Sequence, residues 1–209
     1  MSISKNLHKI RSDVGQDIEI IAVSKKQPAN RILEALDAGQ KIYGENRVQD
    51  AFKIWPDLKK TYPDTKLHLI GPLQSNKTAD AVALFDVIQT LDRKKIIDAC
   101  AGEEQRQGRT LEYYIQVNTG EEDQKSGILP RDLKDLYEYG RKLGLNITGL
   151  MCIPPIDEAP SLHFALLRKL TNQLGLKKLS MGMSGDYMTA VKFGTTSVRI
   201  GTAIFGIRP

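Results

Sequence analysis

Short β-branched, apolar runs alternate with longer runs of helical period along the whole chain. That rhythm constrains the fold more than any single residue. Strands are expected over 19–24, 41–43, 66–70, 87–90, 111–117, 147–152, 178–181 and 197–200. Stretches 28–38, 46–60, 76–85, 93–107, 130–143, 162–174 and 185–193 carry the helical pattern, and one further helix over 3–14 precedes the first strand. Regular alternation of strand and helix demands a parallel sheet, because each helix returns the chain to the same edge. Eight strands suit an α/β fold closed into a (β/α)8 TIM barrel, at about 25 residues per unit. An open doubly wound sheet is the competing arrangement. It would favour a G-x-G-x-x-G turn after the first strand, and none is present. No Pro/Ser-rich linker interrupts the sequence, so a single domain over 1–209 is expected.

Several boundaries have a physical cause. Pro28 and Pro130 suit a first helical turn, where a missing N–H costs nothing. Asn46 and Gln49 have capping-box spacing. Gly39, Gly144 and Gly194 follow helical runs and suit the left-handed position after a helix end.

Barrels bind ligands at the C-terminal ends of their strands. The residues expected there include Ser24, Lys25, Gly44, Glu45, Asn46, Gly71, Thr90, Asn118, Ser184, Gly201 and Thr202. Turn chemistry explains most of this set. It does not explain Lys25 or Arg199, because a charge beside barrel strands is expensive without a counter-charge. The stretch 179–206 is the most informative. Ser184 and Gly185 fall just before an expected helix, after the seventh strand, and Gly201 and Thr202 follow the eighth. Barrel phosphate sites commonly use these two loops. Free N–H groups, glycines that admit close approach, and two hydroxyls together point to a phosphate-bearing ligand.

Composition narrows the function classes. Hydrophobic residues make up 41% and charged residues 26%, ordinary proportions for a globular protein. The net charge of +5 is spread over separate lysine pairs rather than gathered in a basic block, so no nucleic-acid partner is expected. Two cysteines and three histidines show no metal-ligand spacing. The N-terminus lacks a signal-peptide core and no run approaches a membrane span, so a cytoplasmic protein with no membrane partner is expected.

The segments AVSKKQP (22–28), YGENRVQ (43–49), HLIGPLQSNK (68–77), GLMCIPP (149–155), LSMGMSGD (179–186) and VRIGTAIFG (198–206) occur in this order. Together they resemble the YggS/PROSC family, the pyridoxal phosphate homeostasis proteins, over nearly the whole chain. The resemblance implies the barrel of the alanine racemase N-terminal domain, with pyridoxal 5′-phosphate (PLP) as cofactor. It implies that Lys25 forms the Schiff base, that Ser184, Gly201 and Thr202 hold the phosphate, that Arg199 faces the pyridine nitrogen and that Asn46 lies near the ring. Strand parity alone does not choose between Lys25 and Lys26; the motif chooses Lys25. Three departures stand out: Lys26 occupies a position where relatives often have threonine, Gly185 replaces a frequently acidic residue, and the segment 155–178 is short, which implies a shortened helix there.

A Schiff base needs a neutral amine, which burial and nearby positive charge favour. An arginine opposite the pyridine nitrogen can only donate, so that nitrogen stays unprotonated and withdraws electrons poorly. The resemblance, with no second acid–base residue evident, implies PLP homeostasis with little or no turnover. PLP-dependent apoenzymes are the expected recipients and the chain is expected to be a monomer. Two alternatives stay open: a PLP-dependent amino-acid racemase, and a barrel enzyme forming a Schiff base with a sugar phosphate. Tyr43 and Tyr187 are weak candidates for a base, and His68 reads as a core residue. The polar loop 121–127 reads as a solvated turn.

Overall fold

A computed structural model of the chain describes residues 2–206. Eight parallel strands close into a barrel in sequence order: β1 (Glu19–Val23), β2 (Ile42–Glu45), β3 (Lys66–Leu69), β4 (Val87–Leu91), β5 (Glu112–Val117), β6 (Asn146–Cys152), β7 (Lys178–Met183) and β8 (Ser197–Ile200). Closure comes from β1 against β8, with Glu19 opposite Ser197 and Ala22 opposite Ile200. All strands run in one direction, so every expected strand is found and the open sheet is excluded. Helices cover the outer face of the strands and leave them buried on both sides, which is why β1 reads as an unbroken apolar run.

Ten helices are assigned among the described residues: α1 (Ile3–Val14), α2 (Ala29–Asp37), α3 (Val48–Phe52), α4 (Trp55–Thr61), α5 (Thr78–Leu84), α6 (Lys94–Gln107), α7 (Leu133–Lys142), α8 (Pro160–Gln173), α9 (Tyr187–Lys192) and α10 (Thr202–Phe205). Ile3, Leu7, Ile10 and Val14 form the buried stripe of α1, at the spacing of one helical face. Gly39, Gly144 and Gly194 all have positive φ after helix ends, as expected.

Four local expectations are corrected. The helix expected over 46–60 breaks into α3 and α4, because Pro56 has no N–H for an intrahelical bond and its ring would meet the carbonyl one turn back. Pro56 is tolerated only in the first turn of a new helix. The capping box at Asn46 is not formed: Arg47 is the residue before α3, and no side chain caps that end. Pro28 stands just before α2 rather than within its first turn. The segment after Pro155 does not shorten its helix, since α8 has 14 residues.

No helix among the described residues is long and apolar enough to cross a membrane.

Candidate functional site at the barrel mouth

The end of β1 decides which lysine faces inward. Gln27 N donates to Ser24 O (2.9 Å), closing a turn over 24–27. Lys26 sits third in that turn with φ 59°, a left-handed conformation unusual for a side-chain-bearing residue. The turn leaves Lys26 exposed and Lys25 half-buried against a cavity of about 250 Å³. That cavity is lined by Lys25, Asn46, Ser184, Arg199, Gly201 and Thr202, so all six sequence-predicted residues meet at one place. Val23, Ile70, Ile153, Met183 and Gly185 complete its wall.

One wall is an open cradle of backbone donors. The backbone N–H groups of Ser184, Gly185, Gly201 and Thr202 find no acceptor among the described residues. Ser184 Oγ accepts from Ala203 N (3.2 Å), tying the loop after β7 to α10 and keeping the hydroxyl hydrogen available to donate. The expected helix start at Gly185 is corrected. Asp186 Oδ1 accepts from Met183 N (2.5 Å) and Asp186 N donates to Met183 O (3.0 Å), so residues 183–186 form a turn before α9 begins at Tyr187. Neither Gly185 nor Gly201 is required by the protein itself. A Cβ at Gly185 would meet nothing within 4 Å, and one at Gly201 would make only ordinary contact with Val23 at 3.6 Å. Side chains there would fill the cradle instead. Gly182 is different: its φ is 94° and a Cβ would lie 2.6 Å from Ala190 Cβ, so α9 packs down on β7 only because this residue is glycine.

Arg199 is buried, and it lies in the cavity wall without a carboxylate partner. Its Nη1 donates to Ser180 O (2.7 Å) and Ser180 Oγ (2.8 Å), and its Nη2 donates to Cys152 O (2.7 Å). Neutral oxygens thus compensate the buried charge where a counter-charge was expected. Burial lowers its pKa, opposed by the pull of Cys152 and Asp186. From Ser180 a hydrogen-bonded chain crosses the barrel interior. Ser180 Oγ donates to Gln89 Oε1 (2.6 Å), and Gln89 Nε2 donates to His68 Nδ1 (2.9 Å). Every donor points away from Arg199, which leaves the His68 ring proton on Nε2. His68 is a core residue, as expected, and burial drives its pKa down to about 3.

The end of β2 carries Glu45, named above only as a strand-end residue, and Asn46, which lines the cavity. Glu45 is buried; its Oε1 accepts from Ser24 Oγ (2.6 Å) and from Trp55 Nε1 (3.2 Å). Burial raises the Glu45 pKa, and Ser24, Trp55 and Lys25 oppose that rise. Asn46 Oδ1 is shut off from solvent with no partner among the described residues. A Cβ at Gly71 would fall 2.2 Å from Asn46 O, so Gly71 lets the loop after β3 press against Asn46. The available signal was the Gly-Glu-Asn run directly after an apolar strand. The weak base candidates lie elsewhere. Tyr43 is buried against Trp55 with ring centroids 4.8 Å apart, and Tyr187 donates to Asp13 Oδ2 (2.7 Å) on α1. Loop 121–127 is held by a Glu122–Lys125 ion pair (2.6 Å) and by Asn118 Nδ2 donating to Glu122 O (2.9 Å). Among the described residues no group of three or more His, Cys, Asp or Glu is placed to hold a metal ion.

The fold defines a class. The family model described as alanine racemase, N-terminal domain, matches residues 1–209. Among curated proteins, a pyridoxal phosphate homeostasis protein of Vibrio alginolyticus is 39% identical over 228 residues, covering 99% of this chain and 98% of its own length. The relative of that name in Vibrio cholerae is 43% identical, covering 91% of this chain and 86% of its own. Among solved structures, PipY of Synechococcus elongatus without PLP is 36% identical with a TM-score of 0.91, covering 98% of this chain and 100% of its own. The structure of PipY with PLP bound superposes with a TM-score of 0.88 at 34% identity, covering 98% of this chain and 100% of its own. The chain belongs to the pyridoxal phosphate homeostasis protein family, built on the alanine racemase N-terminal barrel.

Proposed function

We propose that this protein binds pyridoxal 5′-phosphate at the barrel mouth and serves PLP homeostasis with little or no turnover. The observation that carries the reading is one cavity with Lys25 on one side and a cradle of backbone donors on the other. The residues fit the cofactor. Ser184, Gly201 and Thr202 supply hydroxyls and free N–H groups for a phosphate, and glycine at 185 and 201 leaves the space a phosphate needs. Arg199, held by three hydrogen bonds, would meet the ring nitrogen as a donor only. Asn46 offers a buried acceptor beside the ring. When bound, PLP supplies an aldehyde that Lys25 holds as a Schiff base. PipY, solved with PLP bound, supports the assignment.

The cavity lining favours holding over turnover. Among the described residues, Lys25 and Arg199 are the ionisable side chains of the lining, and racemisation would require a second acid–base group opposite Lys25. The whole chain is read as one PLP-binding domain, acting as a cytoplasmic monomer that hands its cofactor to PLP-dependent apoenzymes.

Borohydride reduction of PLP-loaded protein tests the assignment. Peptide mapping is expected to find the pyridoxyl label on Lys25, and Lys25→Ala is expected to lose both the label and the yellow chromophore. A label on Lys26 would overturn the residue assignment. Sustained racemisation of an amino acid, lost in Lys25→Ala, would overturn the carrier reading. Binding of a sugar phosphate without pyridoxal absorbance would favour the barrel-enzyme alternative.

A further inference from the structure

We propose that the barrel mouth carries a second anion site, beside the Lys25 cavity, that takes the phosphate group of a small phosphate monoester. A cavity of about 590 Å³ opens between the loops after β2 and β3, larger than the Lys25 cavity at about 250 Å³. Asn46, Arg47, Gln49, Asp50, Gln74 and Lys77 supply its polar lining. Asn46 lines both cavities, so the two adjoin at one residue. The packing of Gly71 onto the Asn46 backbone joins the two loops and fixes that shared wall.

Charge selects the occupant. The charged side-chain groups of Arg47 and Lys77 have no ion pair or hydrogen bond among the described residues, so two cations line one concavity uncompensated. Asp50 is the one acid in the lining, and Lys53 answers it at 3.7 Å. Two open cations match a phosphate monoester, which carries about −1.5 to −2 at neutral pH, whereas a monocarboxylate would leave one unmatched. The amides of Gln49 and Gln74 add donors for the peripheral oxygens that a tetrahedral anion presents. Lone surface cations would select nothing; concavity, amides and charge count together do. A site here would hold a phosphate ester within the same mouth while Lys25 is occupied. This inference rests on the cofactor reading only for the identity of the first occupant.

The experiment uses protein whose Lys25 has been fixed with PLP and borohydride. Equilibrium dialysis then measures binding of 4-deoxypyridoxine 5′-phosphate, which carries the phosphate but no aldehyde. One further equivalent is expected, at least tenfold weaker in Arg47→Gln and in Lys77→Gln, restored by Lys77→Arg and unchanged in the distant Arg131→Gln. Absence of a second equivalent, parental affinity retained in Arg47→Gln or in Lys77→Gln, or equally effective displacement by succinate would overturn the proposal. The Lys25 label reports on the first site and the Arg47 and Lys77 dependence on the second, so the two readings fail separately.

Discussion

At Lys26 the backbone takes φ 59°, and this one torsion separates two adjacent lysines into different environments. A β-branched residue tolerates that conformation poorly. Lys26→Val is expected to lower stability by about 1–2 kcal/mol in urea titration, while Lys26→Gly stays close to the parent. Neither change should remove the Lys25 label, because Lys26 is exposed. Asn46 makes a sharper case, since its buried Oδ1 has no partner among the described residues. Leaving a polar atom unsatisfied costs about 1–3 kcal/mol, so Asn46→Ala is expected to raise the melting temperature of the cofactor-free protein while weakening PLP binding. A loss in both measurements would show that Asn46 serves the fold rather than the ligand.

Between elements, the chain from Arg199 on β8 through Ser180 on β7 and Gln89 on β4 to His68 on β3 spans the barrel interior. It makes acid stability depend on one histidine. The folded protein holds His68 neutral, its pKa lowered by burial from the ordinary 6.5 to about 3. The unfolded chain binds that proton first. This contribution is therefore complete above about pH 6.5 and is lost as pH falls toward 3, by up to about 1.4 kcal/mol per pH unit. Glu45, with its pKa raised by burial, acts in the opposite sense: the stability its protonation lends is lost as pH rises through its folded pKa. The difference in slope between parent and His68→Gln, read from chemical denaturation across pH 4–7, isolates the histidine. Equal slopes would reject the assignment. The α3–α4 break belongs to this scale too. Pro56 announces it in the sequence, but the strong helical pattern on either side conceals it.

For the molecule as a whole, a ligand that joins loops after β1, β2, β7 and β8 stabilises the closed barrel by linkage. At a hundredfold excess over Kd, PLP is expected to add about 2.7 kcal/mol and raise Tm by about 5–10 °C in a calorimetric scan. Pyridoxal without its phosphate should give a smaller rise, and no rise with PLP would contradict binding at this mouth. The strand–helix rhythm was legible because parallel barrel strands are buried on both faces and read as apolar runs. Lys25, Asn46, Ser184, Gly201 and Thr202 were legible as strand-end residues, since barrel topology brings every strand end to one rim, and Arg199 as a charge beside barrel strands. The role of Glu45 was hidden, because its partners Ser24 and Trp55 lie 21 and 10 residues away in sequence. Local periodicity and barrel topology set the order of elements, the end of the barrel that carries the mouth and the residue types gathered there. The motif names Lys25, but the turn that directs it inward, the neutral oxygens that satisfy Arg199 and the glycines that leave room for a ligand emerge only in the folded arrangement. Those outcomes depend on one backbone torsion and on distances between distant segments, which no local pattern encodes.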